Sequence, residues 1–381
     1  MNKIVKFALL SVSLLVISGG AIAGNIPAIE AAYPTVNPTI IEFLTTLPSL
    51  MIIGTVLFST KIAQKIGYKL TVQLGILLVL IAGVLPVVTS SFTVLFISRM
   101  AFGLGVGLFN PLLYAFASNL YHNRELTGVI GLQSAFEGIG AMLMTFIAGQ
   151  LYMINWRASF IAYALALPIL ILFSFFIPDV TVTHPTTHKY QEKSTLSRTF
   201  ILYLVLLVLS VTIYMSVTVK ATAILMAKGI GDATDGSNLI ALIGLGSMVA
   251  GMIFGRVYAN LKQATLPIAF ALLAISMFLL AGAGNIWIAM LAALLCGFAF
   301  RTFIPYLFNA ANQAGSHSER HTSLLLMAFN LGIALSPFSI AIAQRLVPSL
   351  VGSGLFVGEG ILMLVVAVGL FFWQRTQPKT A

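Results

Sequence analysis

Ser98-Arg99-Met100-Ala101-Phe102-Gly103-Leu104-Gly105-Val106-Gly107-Leu108-Phe109-Asn110-Pro111 sets an arginine inside an apolar run and follows it with three glycines at alternate positions. The same framework returns 194 residues later, where Gly297-Phe298-Ala299-Phe300-Arg301-Thr302-Phe303-Ile304-Pro305 aligns with the stretch from Gly103 to Pro111. The second copy carries its own arginine, Arg301, in the place of Gly107. Further on, Ala135-Phe136-Glu137 and Ala328-Phe329-Asn330 correspond approximately. The chain reads as two copies of one half.

Composition says where such a chain resides. Of its 381 residues 59% are hydrophobic and 8% charged, against about 25% charged in soluble domains. That much apolar surface has no refuge in a water-soluble globule. Residues 7–29, 70–98, 158–178 and 199–219 contain no Asp, Glu, Lys or Arg, and each run exceeds the ~20 residues a helix needs to cross the hydrocarbon. Continued along the chain, the count predicts twelve transmembrane helices near 6–26, 39–59, 71–89, 93–118, 127–152, 158–178, 199–225, 236–257, 264–283, 286–310, 322–344 and 352–373. A β-barrel would show short alternating segments, so the expected fold is an all-α membrane bundle whose backbone polar groups are satisfied within each helix.

Charge sets the expected orientation. With the N-terminus inside, Lys3, Lys6, Lys61, Lys65, Lys69, Arg124, Lys189, Lys193, Arg198, Arg256, Lys262, Arg320, Arg375 and Lys379 are cytoplasmic, while Arg157, Lys228 and Arg345 fall outside. The positive-inside rule then places both termini in the cytoplasm of a plasma-membrane protein. The net charge of +10 is scattered over loops and tails, so nucleic acid is not an expected partner. Lys3, Lys6, an apolar run and Ala21-Ile22-Ala23 imitate a cleavable signal. Removing that segment would destroy the two-fold repetition, and it is read as the first span. The single cysteine, Cys296, excludes an intramolecular disulfide and a cysteine-based metal site.

The longest polar stretch, 179–198, divides the chain into halves 1–178 and 199–381 and reads as a cytoplasmic linker. His184 and His188 within it are read as solvated rather than as metal ligands, because no third ligand accompanies them. Two parallel six-helix repeats with a substrate site between them characterise one large transporter class. Phe96-Ile97-Ser98-Arg99-Met100-Ala101-Phe102-Gly103-Leu104-Gly105 resembles the fourth-helix signature of the major facilitator superfamily, and Asn155-Trp156-Arg157-Ala158-Ser159-Phe160 resembles its W-R-x-x-F entry into the sixth helix. The loop Lys61-Ile62-Ala63-Gln64-Lys65-Ile66-Gly67-Tyr68-Lys69 resembles the family's cytoplasmic gating motif, with Gln64 where the family usually has Asp and with Lys65, Gly67 and Lys69 retained. The antiporter-associated fifth-helix signature is poorly met: Met144-Thr145 stand in its Gly-Pro place.

This resemblance implies a secondary transporter that moves a small-molecule substrate through the lipid bilayer with protons as the coupling ion, acting as a monomer without cofactor or metal. Glu137 is the acidic residue placed deepest, about ten residues into the fifth span, and Arg99 lies about seven residues into the fourth, depths of about 15 and 10 Å at 1.5 Å per residue. They are expected to pair, either as a static tie or as a proton-coupling site. Arg301 and Lys220 are candidate contacts for substrate, with Asn25, Asn110, Tyr114, Gln133, Tyr214, Asn309 and Asn330 as candidate hydrogen-bonding residues of the cavity. No catalytic triad, nucleotide loop or metal-ligand set emerges, so an enzyme or ATP-driven pump is not expected. The leading expectation is proton-coupled efflux of small amphipathic or lipophilic compounds. The alternatives are uptake of an anionic nutrient or metabolite, with the arginines as counter-charges, and a non-transporting sensor or scaffold.

Overall fold

The computed structural model describes residues 3–179, 197–313 and 318–376, and the regular structure of these residues is helical throughout. Most of the linker 179–198, with His184 and His188, lies outside them. The α-helices are α1 (Lys3–Ser13), α2 (Ile26–Ala32), α3 (Pro38–Ile66), α4 (Tyr68–Val84), α5 (Phe92–Leu120), α6 (Asn123–Tyr152), α7 (Ala166–Phe176), α8 (Arg198–Ala227), α9 (Ala233–Leu261), α10 (Thr265–Gly282), α11 (Ile286–Gln313), α12 (Ser318–Leu346) and α13 (Gly354–Thr376). Among the described residues ten helical stretches are long and apolar enough to span a membrane, or eleven when the bent pair Lys3–Ser13 and Ser18–Ala32 counts as one. One of them, Ala233–Gly282, is 50 residues long. It divides into α9 and α10 at Lys262, whose φ of 46° turns the chain, and this division supplies the twelfth span.

The first span departs from the expected continuous helix over 6–26. After Ser13 the backbone tightens into bonds three residues apart, from the amides of Leu14, Leu15, Val16 and Ser18 to the carbonyls of Ser11, Val12, Ser13 and Leu15. The two arms of the span meet at 49°. Such 3₁₀ bonding winds the chain more tightly than an α-helix and is used in short pieces. Gly19, Gly20 and Gly24 follow, residues that favour the helix interior by about 1 kcal/mol less than alanine each. Gly140 of α6 lies close against the break, where a Cβ would come within 2.1 Å of the Leu14 carbonyl oxygen.

The chain folds as two compact units. The first comprises Met1–Ile22 and Leu44–Leu202, and the second Ala23–Phe43 and Tyr203–Ala381. Inside the first, α4 lies along α5 and the reciprocal pair Gly75 and Gly105 sets their distance: a Cβ on either would stand 2.8 or 2.7 Å from the other's carbonyl oxygen. Gly103 and Gly107, one turn apart on α5, face α3 instead, against Pro48 and Thr55. The alternating glycines of the motif thus serve two helix neighbours, which is the use of small residues expected where no hydrophobic effect drives helices together in lipid. The second unit repeats the device between α9 and α11, where Gly246 meets the Leu294 carbonyl and Gly297 the Ile243 carbonyl. There α10 also packs along α13.

Candidate functional site

Arg99 does not reach Glu137. Its side chain is fully buried in the first unit, and Nη2 donates to the Ala82 carbonyl of α4 at 3.2 Å. The guanidinium is enclosed by Phe102, Phe160 and Tyr163, with ring centroids at 5.0, 5.1 and 5.0 Å. Phe160 and Tyr163 belong to the 3₁₀ segment Ala158–Leu165, and the Tyr163 hydroxyl donates to the Ser18 carbonyl at 3.1 Å. A cation held over three aromatic faces is stabilised by their quadrupoles, the more so where it is buried. Depth along the helix axes places Arg99 and Glu137 within reach, but depth ignores azimuth. Arg99 points into α4 and the 3₁₀ segment, and no carboxylate contacts it. The expected pair is replaced by an aromatic cage that ties α4, α5 and residues 158–165 together.

The other candidates of the first unit scatter. Glu137 is half-buried on α6. Gln133 is buried, and its Nε2 donates to the Leu113 carbonyl at 3.2 Å, a tie between α6 and α5. Asn110 is half-buried, and Tyr114 is exposed. In the motif loop Gln64 and Lys65 are exposed and Lys69 half-buried, while Gly67 adopts φ 96° where α3 gives way to α4. That conformation favours glycine over any residue with a Cβ, and the Thr71 hydroxyl donates to the Gly67 carbonyl at 2.7 Å.

In the second unit an ion pair appears that sequence reading passed over. The Lys220 ammonium of α8 donates to Glu42 Oε1, and this is the salt bridge found among the described residues. The Glu42 side chain is 4% exposed and that of Lys220 20%. Glu30 of α2 interacts electrostatically with the same lysine and with Glu42, so two mutually repelling carboxylates share one cation. Both members of the salt bridge lie within spans, Pro38–Ile66 and Arg198–Ala227, where charges are expensive and tend to mark function. Counting depth favours Glu137 over Glu42, which stands five residues into α3. The available signal was that Lys220 and Glu42 are opposite charges isolated in separate apolar runs.

A second missed carboxylate is Glu359 of α13, half-buried, which accepts a hydrogen bond from Ser216 Oγ at 2.6 Å. Asn25 is fully buried. The Asn330 amide folds back onto the Leu326 carbonyl of its own helix at 2.9 Å, and the Asn309 side chain lies outside the described residues. Arg301 is half-buried and has neither ion pair nor hydrogen bond with a described residue. Its aliphatic stem runs close to Gly251 of α9, and it interacts electrostatically with Tyr214. Tyr214 stacks on Phe300 with centroids 3.6 Å apart and planes 14° from parallel.

The helices, their repeated motifs and the charges within them define a polytopic membrane transporter fold. The family model described as "Major Facilitator Superfamily" matches residues 8–337, and the chain belongs to that family of secondary transporters rather than to any class of enzyme. Among solved structures it is similar to the nucleoside transporter NupG, with TM-score 0.78 and 11% identity over 96% of this chain and 100% of that one. It is also similar to a D-xylose–proton symporter, with TM-score 0.75 and 16% identity over 97% and 96%. A peptide transporter POT in complex with sulfate gives TM-score 0.74 and 14% identity over 96% and 93%. At these identities the likeness is one of fold. No curated protein matches the sequence.

Proposed function

We propose that the chain is a proton-coupled exporter of small amphipathic molecules, working as a monomer in a plasma membrane with both termini cytoplasmic, and that Glu42 carries the exchanged proton. The observation that supports this is the buried Lys220–Glu42 pair with Glu30 beside it. One ammonium compensates one carboxylate, which leaves the cluster a negative charge in excess while both glutamates are ionised. Binding a proton removes that excess and weakens the hold of Lys220 on Glu42, so protonation and helix movement become one event. Glu137 is the second candidate, being half-buried without Arg99 as counter-ion. Arg99, sealed among rings, is a packing residue in this reading, and the family-implied link to proton handling is not assigned to it.

The test is flux in proteoliposomes under an imposed pH gradient, with a panel of lipophilic dyes as cargo and with gradient-free exchange measured alongside. Glu42→Gln is expected to abolish gradient-driven accumulation and to retain exchange, while Glu137→Gln keeps both. Intact accumulation by Glu42→Gln together with its loss in Glu137→Gln would move the proton to Glu137. Arg301, which pairs with no described residue, favours an anionic group on the cargo, the feature that the uptake alternative requires. The direction of flux relative to the proton gradient separates export from uptake.

A further inference from the structure

Charge accounting within the second unit isolates one cation. Glu30 and Glu42 are taken by Lys220. Asp232 and Asp235 cap the start of α9 by bonding each other's backbone amides, at 2.8 and 3.1 Å. Glu359 accepts from Ser216. Lys228 is used at the end of α10, where its ammonium donates to the Ala281 carbonyl at 2.6 Å and the Ala283 carbonyl at 3.2 Å. Arg198, Arg256 and Arg345 stand near the ends of their helices and Lys262 at the turn between α9 and α10, whereas Arg301 lies inside α11 and none of its five donors bonds a described residue. A guanidinium in a membrane-spanning helix faces an aqueous cavity or an anion, because lipid around it is too costly.

The surroundings say what kind of anion. Tyr214 and Phe300 form a parallel stack beside Arg301, and Phe303 meets Phe300 edge-on at 5.4 Å while Phe329 lies tilted to it at 6.1 Å. Gly251 of α9 lies against the arginine stem, where a Cβ would stand 3.8 Å from the Arg301 Cγ, so α9 crowds neither the stem nor its guanidinium with a side chain there. We infer that Arg301 and the Tyr214–Phe300 stack form the substrate subsite of this transporter, selecting a planar, unsaturated organic carboxylate: the guanidinium fork takes the carboxylate and the rings take the flat body. Planar bidentate pairing is the property that distinguishes arginine from lysine at such a site. This inference deepens the function proposed above by naming the cargo's chemistry, and it does not depend on which glutamate carries the proton.

The experiment measures binding rather than flux, so its outcome is independent of coupling. Purified full-length protein is titrated with 2-naphthoate, 2-naphthamide and sulfate, and its thermal midpoint is followed. Naphthoate is expected to raise the midpoint, while the neutral amide and the small inorganic anion leave it unchanged. Arg301→Gln should weaken naphthoate by about tenfold or more, and Arg301→Lys should weaken it less, since charge is kept and the fork lost. Tyr214→Leu tests the stack with Arg301 in place and should lower naphthoate affinity as well. Should Arg301→Gln fail to fold, Arg301→Lys and Tyr214→Leu carry the test. Equal binding of naphthoate and naphthamide, absence of naphthoate binding to the wild-type protein, or unchanged affinity in the Arg301 and Tyr214 variants would overturn the assignment.

Discussion

Arg99 and Lys220 are both arginine-or-lysine charges inside apolar helices, yet their settings assign them opposite work. Arg99 has aromatic faces and one carbonyl around it, partners that cannot gain or lose a proton in the physiological range, so it holds helices together. Lys220 has two carboxylates, and carboxylates titrate. Removing only the lysine leaves Glu42 buried without its ammonium, and breaking one side of a buried pair costs about 3–5 kcal/mol generally. Lys220→Met is therefore expected to lower the thermal midpoint more than the double variant Lys220→Met/Glu42→Gln, with a coupling of about 1–3 kcal/mol in the cycle. Thermal unfolding of the four proteins in one detergent measures it, and additive effects would show that the pair is energetically idle. The pair was passed over because its members stand 178 residues apart and no local pattern joins them, so only their isolation as opposite charges in apolar runs pointed to it. Arg99 was conspicuous in the sequence, but its partner was misread for want of helix phase.

At the scale of elements, the glycines of the repeated motif are spacers. Gly297 brings α11 so near α9 that a Cβ would lie 1.9 Å from the Ile243 carbonyl oxygen, and backbone cannot move aside as a side-chain tip can. Gly297→Ala is expected to lower stability by about 1–3 kcal/mol, the range for overpacking a close contact. Gly369 of α13 meets nothing within 4 Å, and Gly369→Ala should be neutral or stabilising by up to about 1 kcal/mol through helix propensity. Paired denaturation curves check both, and equal effects at the two positions would remove the spacing argument. The long apolar runs and the repeated Gly-to-Pro framework made most spans legible, because length and composition alone decide whether a helix crosses lipid. The break in the first span was not legible: it depends on Leu14 lying against Gly140 as well as on the nearby glycines, and a contact between distant helices leaves no trace in hydropathy.

For the whole molecule, the loop bias in Lys and Arg makes orientation testable. His188→Cys, in a background carrying Cys296→Ala, should react with a membrane-impermeant thiol reagent only after the membrane is opened. Labelling in intact cells would reverse the proposed topology. The segment Ala23–Phe43 groups with the second compact unit, among residues made much later in the chain. Gly24 there approaches Ser237 so closely that a Cβ would stand 2.0 Å from its hydroxyl oxygen.

That grouping has a consequence for synthesis. Glu42 leaves the ribosome 178 residues before Lys220, which at 5–20 residues per second is a wait of about 10–35 s. During that interval the carboxylate must enter the bilayer protonated, remain at its surface, or borrow a counter-ion from elsewhere. A nascent chain stalled after the linker would hold residues 23–43 without their final neighbours. The buried ion pair can close only once α8, which carries Lys220, has been made.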